Sequence, residues 1–129
     1  MSLKNAQQTI ENVVTSWEGV ETHHRFGRRE FRLGTRELGH VHGDRLVDLP
    51  FPIKVRDELT AKGEAEKHHV LPDSGWVSFH IFREEDVAGA IKLLKRSHGL
   101  ALEQKAGRET RHLSNPQSYE VKQPSSKER

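Results

Sequence analysis

The sequence predicts an α+β domain, a mostly antiparallel sheet of about five strands with helices packed on one face. Three observations predict it. Extended segments follow one another through short glycine-containing turns, which makes hairpins rather than parallel crossovers. Helical periodicity is confined to the start, the middle and the end of the patterned region. A chain of 129 residues suits a single domain. The expected order is α-β-β-β-α-β-β-α.

Leu3, Ala6, Ile10, Val13, Val14 and Trp17 recur at three- and four-residue steps, the apolar stripe of a helix over 3–17, with Gly19 as its stop. Three strands follow: "EFRLG" ending at Gly34, "RELGHVH" over 36–42 and "RLVDLPF" over 45–51. Gly34-Thr35 and Gly43-Asp44 read as two-residue hairpin loops with glycine first. Pro50 and Pro52 end the third strand, and Pro52 suits a helix start. That helix runs to about Lys62, with Phe51, Val55 and Leu59 on one face and Gly63 after it. "EAEKHHVL", 64–71, is a weaker strand closed by the turn "PDSG". "WVSFHIF", 76–82, is the clearest strand: Val77, Phe79 and Ile81 alternate with Trp76, Ser78, His80 and Phe82. The last helix spans 84–98, acidic at its start and basic at its end, as the helix dipole favours.

Beyond residue 102 there is little to bury. The expectation is a folded domain over 1–102 and a polar, disordered tail over 103–129. The tail carries six Lys and Arg against four Asp and Glu, so the whole net charge of +2 resides there and residues 1–102 are balanced. The one dense basic run in the domain, "HHRFGRREFR", is interrupted by Glu30. Nucleic-acid binding is therefore not expected. "GRRE" and "KLLKR" read as ordinary solvated charge. No cysteine is present, which removes disulfides, thiolate metal ligands and thiol nucleophiles. No apolar run approaches the roughly 20 residues that span a bilayer, and no signal-peptide core is evident. A cytoplasmic protein without membrane contact is the expectation.

The chemistry, if any, lies in the nine histidines. His23, His24, His98 and His112 read as surface residues. His40, His42, His68, His69 and His80 fall on or beside predicted strands. His40 and His42 lie at i and i+2 of one strand, so both rings stand on one face of the sheet. Register decides what they meet. A two-residue loop at Gly43-Asp44 turns Asp48 to the opposite face. A three-residue loop that includes Arg45 sets His40 opposite Asp48, about 5 Å apart at Cβ. Three readings stay open. One is a metal site for Fe, Mn or Zn, built from His40 and His42 with His68 or Asp48. A second is acid–base work by imidazoles without a metal. The third is a polar face covered by a tail or a second subunit, as in a homodimer. Trp76 is placed for packing or as a platform for a ligand. The motifs of P-loop nucleotide sites, dinucleotide sites, nucleophile-elbow hydrolases and zinc proteases are absent.

"RELGHVHGDRLVDLPFP", "ELTAKGEAEKHHVLPDSGWVSF" and "DVAGAIKLLKRSHGL" resemble the luciferase-domain family, small prokaryotic proteins related to the fungal luciferases. The resemblance covers about 31–100. Its most specific parts are Arg36-Glu37 before His40-x-His42, Gly63 followed by His68, and Trp76 opening the last strand. Asp48 and Pro50-Phe51-Pro52 look typical of the prokaryotic members. The fungal chains also carry an N-terminal membrane segment, and none is read here. Fungal luciferases add O₂ to a hydroxylated pyrone, lose CO₂ and emit light without an added cofactor. The resemblance implies a small oxygenase-like enzyme or ligand-binding protein for a phenolic or enolic molecule, with no cofactor. His40, His42 and His68 would then deprotonate the substrate, while Asp48, Trp76 and His80 bind it. A metal held by His40, His42 and His68 is the alternative for the cofactor. A non-catalytic interaction module is the alternative for the function.

Overall fold

In the computed structural model, which describes residues 5–114, six strands form one antiparallel sheet. The elements are α1 (Ala6–Val14), β1 (Val20–Arg25), β2 (Arg28–Leu33), β3 (Arg36–His42), β4 (Leu46–Pro50), α2 (Ile53–Ala61), β5 (Glu66–Lys67), β6 (Trp76–His80) and α3 (Asp86–Ser114). The sheet order is β1-β2-β3-β4-β6-β5, an α+β arrangement.

The expected strands are present, with one addition. β1, which carries His23 and His24, was not among the expected strands; it is an edge strand with mostly exposed residues, so its sequence shows no alternation to read. β5 keeps only Glu66 and Lys67 of the longer strand expected over 64–71. The last helix passes its expected end at His98 and continues to Ser114, so residues 103–114 of the supposed tail are helical. The remainder of that tail, 115–129, and Leu3 of the first helix lie outside the described residues, as does the side chain of His112.

The pleat sorts the side chains. Phe31, Val41, Val47, Leu49 and Val77 share one face through the cross-strand register, and all five are fully buried. α3 lies against this face: a Cβ at Gly39 would meet Leu94, and one at Gly89 would meet the Phe79 ring. Ile10 and Val14 of α1, Leu59 of α2 and Leu94 of α3 complete the core. α2 ends in a Schellman motif: Glu64 N donates to Leu59 O at 2.9 Å and Gly63 N to Thr60 O at 3.1 Å, with Gly63 at φ 73°. α1 has no cap from its own side chains. Its Gln7 N–H instead donates to Asp44 Oδ1 at 2.8 Å, so the β3–β4 loop caps it.

His98, expected at the surface, is buried. Its Nε2 bonds the Glu18 carbonyl at 2.9 Å, and its ring lies 5.5 Å from Trp17. This joins α3 to the chain entering β1.

Candidate functional site

The other face of the sheet carries the polar groups: Arg28, Glu30 and Arg32 on β2, His40 and His42 on β3, Asp48 on β4, Trp76 and Ser78 on β6. Two irregularities arrange them. The β3–β4 hairpin closes with the three-residue loop Gly43-Asp44-Arg45, since His42 pairs with Leu46. Asp48 therefore pairs with His40 and shares its face. On the other edge of β3 the register shifts, with Phe31 opposite Gly39 and Arg32 opposite Glu37, so Leu38 is the extra residue of a bulge. Without the bulge, Glu37 and His40 would point to opposite faces. With it, Glu37 Oε2 reaches His40 Nδ1 at 2.6 Å. Gly39 makes the bulge feasible: its φ is 153°, and a Cβ there would sit 2.9 Å from the Asp48 carbonyl.

Three imidazoles converge on one oxygen. Asp48 Oδ2 lies 3.1 Å from His42 Nε2, 3.5 Å from His40 Nε2 and 3.5 Å from His68 Nε2. The other carboxylate oxygen, Oδ1, accepts from Ser78 Oγ at 2.6 Å. Asp48 and Ser78 are both buried.

The hydrogen bonds assign the protons. His40 faces carboxylates through both ring nitrogens, so both carry hydrogen and the ring is an imidazolium. Burial opposes that charge, but the bonds to Asp48 and Glu37 and the Glu37 charge outweigh it, and the pKa is pushed up to about 9. For Asp48, burial opposes ionisation, yet hydrogen bonds from His40 and Ser78 hold the carboxyl far below the usual carboxylate range. His42 moves the other way: burial and the His40 charge lower its pKa, so it is neutral at pH 7. Its Nε2–H donates to Asp48, which leaves Nδ1 as the nitrogen able to take a proton. His68 Nδ1 accepts the backbone N–H of Val70 at 3.1 Å and of Leu71 at 3.2 Å, so its hydrogen is on Nε2, facing Asp48.

These charges tie stability to pH. The folded pKa of His40 is above its unfolded value of about 6.5. Its contribution is therefore complete below pH 6.5 and is lost as pH rises through about 9. Thermal unfolding from pH 6.5 to 9.5 is expected to show a loss of up to about 3 kcal/mol in the wild type. In His40→Gln the fall over the same range should be much smaller.

The cluster opens on a cavity of about 640 Å³. Trp76, Leu46 and Leu71 give it apolar walls, and Arg28, Glu37, His42 and Asp48 give it polar ones. The Trp76 ring lies 5.4 Å from His40 and 6.3 Å from His68. Of the residues singled out from sequence, His40, His42, His68, Asp48 and Trp76 come together. His80 does not: it is exposed on β6, with Nδ1 3.3 Å from Glu66, and is not part of this cavity. Glu37, Ser78 and Arg28 were not singled out for chemistry. The first depends on a bulge, the second on the β4–β6 register, and the third looks like any surface charge.

Among the described residues, His40, His42 and Asp48 offer donor atoms that lie within 4.8 Å of one another, a two-histidine, one-carboxylate set. His68 is not in that set: its Nδ1 is taken up by the backbone N–H groups of Val70 and Leu71. No helix among the described residues is long and apolar enough to cross a membrane.

No curated protein and no solved structure matches the chain. Residues 35–97, which run from the turn before β3 to the middle of α3 and contain His40, His42, Asp48, His68 and Trp76, match the family model described as Luciferase domain. That stretch, just under half of the chain, is similar to the luciferase-domain family.

Proposed function

We propose that the polar face of the sheet binds a small phenolic or enolic molecule and that the Asp48–His42 pair removes its acidic proton. The observation that carries this reading is the convergence of three Nε2 atoms on Asp48 Oδ2 at the edge of a cavity with Trp76 in its wall. Asp48 accepts from His42 Nε2 and orients the ring, as the carboxylate does in a catalytic triad. His42 Nδ1 then receives the hydroxyl proton. The fixed positive charge on His40 stands 4.8 Å away, ring centre to ring centre, and stabilises the oxyanion left behind. Apolar contact with Trp76, Leu46 and Leu71 holds the ring system. The likeness of residues 35–97 to the Luciferase domain model supports O₂ as the partner of the resulting enolate, since electron-rich enolates are the forms that react with it.

4-Nitrophenol tests the first step, because its ionised form absorbs at longer wavelength. Bound to the wild type below its own pKa, it should show the phenolate band. His42→Gln should bind it as the neutral phenol. A neutral phenol in both proteins contradicts the assignment of His42 as base.

The donor set His40, His42 and Asp48 favours a second reading, a divalent metal with open positions toward the cavity. Glu37 on His40 and Ser78 on Asp48 would serve as the outer-shell bonds that such ligands have. Tag-free protein dialysed against Fe(II), Mn(II) or Zn(II) would retain one equivalent in that case. Retention below a tenth of an equivalent of each rejects it.

A further inference from the structure

Arg28 stands out on the site face for the absence of a counter-charge. Its register neighbours are Arg25 on β1 and His42 on β3, neither of them acidic. The nearby acids are engaged elsewhere: Glu30 pairs with Arg32, Glu37 with His40, and Asp48 with the three histidines and Ser78. The Arg28 guanidinium makes no hydrogen bond or ion pair among the described residues, and its Nε is buried without a partner. The side chain lines the cavity beside His42. A guanidinium kept half-buried at a cavity wall without a carboxylate is costly unless an anion arrives from outside.

We propose that Arg28 recognises an anionic group of the ligand and that the ligand is a hydroxylated aromatic carboxylate. This rests on the reading of the cavity as a phenol or enol site and names its substrate class. The carboxylate pairs with the Arg28 guanidinium, which presents parallel N–H donors suited to two oxygens. The hydroxyl lies at His42, one strand away, beside Asp48 on the strand after it. The aromatic ring spans the distance between them against Trp76.

Calorimetric titration with 4-hydroxybenzoate and with phenol tests this on the wild type, Arg28→Gln and Arg28→Lys. The wild type should prefer 4-hydroxybenzoate. Arg28→Gln should weaken 4-hydroxybenzoate by about 10- to 100-fold, the range of a charge-assisted hydrogen bond, while phenol changes by less than about 2-fold. Arg28→Lys should restore part of the loss, because it keeps the charge without the paired donors. Equal weakening of both compounds in Arg28→Gln, or no change in 4-hydroxybenzoate, overturns the role of Arg28 while the phenol site stands. If the wild type binds neither compound, the phenol site itself fails and the anion site fails with it.

Discussion

Replacing Asp48 with alanine is expected to lower the stability of the protein by about 3 kcal/mol, the cost of breaking a buried ion pair from one side. That corresponds to a fall in melting temperature of about 10 °C for a domain of this size. Asp48 is 2% exposed and accepts from Ser78 while facing three imidazoles. Its loss leaves the His40 charge with Glu37 alone, Ser78 Oγ without its acceptor, and His42 without the group that orients it. The pH dependence of stability changes as well. The Asp48 contribution, complete above about pH 3.9 and lost in acid, disappears, and the alkaline loss from His40 shrinks, since one of the two carboxylates that raise its pKa is gone. A chemical denaturation series from pH 2 to pH 10 measures both. A variant that unfolds within about 0.5 kcal/mol of the wild type across that range would mean that the carboxylate is solvated rather than buried.

Replacing Gly75 with alanine is expected to cost about as much or more, for a steric reason. A Cβ at residue 75 would overlap the carbonyl of Phe51, a backbone atom that cannot rotate away. The two strands are locked at this point: Phe51 N donates to Gly75 O at 3.1 Å, and Pro50 pairs with Trp76. Relief of the overlap must separate the end of β4 from the start of β6. That movement displaces Trp76 from His40 and opens the cavity wall. Loss of about 3 kcal/mol, with a shift in tryptophan fluorescence, is the expected outcome. Gly99→Ala is the control: nothing lies within 4 Å of its added methyl, and in α3 alanine is the better helix former, so stability should hold or rise by up to about 1 kcal/mol.

The sheet was legible where the local pattern was strong. Trp76 to His80 alternates cleanly, and the HxH pair of β3 shows at once that two imidazoles share a face. Other features depend on information that a linear pattern does not hold. Asp48 belongs to the site because the hairpin loop has three residues, and both loop lengths were compatible with Gly43-Asp44-Arg45. The loop also makes a remote contact that no local pattern shows: Asp44 caps α1 through Gln7. Glu37 reaches His40 only through a bulge at Leu38 and Gly39, and three-residue spacing on a regular strand would have placed the two on opposite faces. β1 lacks an apolar face because it is an edge strand, so it left no periodic trace. Arg28 reads as solvated charge until the register shows basic neighbours on both sides.

The most direct test is an NMR titration of the imidazole ring nitrogens from pH 5 to pH 10. His40 should remain doubly protonated until about pH 9, and at neutral pH His42 should be uncharged with its hydrogen on Nε2. In Asp48→Asn the His40 transition should move toward 6.5. If His40 and His42 titrate together near 6.5 in the wild type and are unaffected by the change at Asp48, the imidazoles do not share that carboxylate and the site described above does not exist.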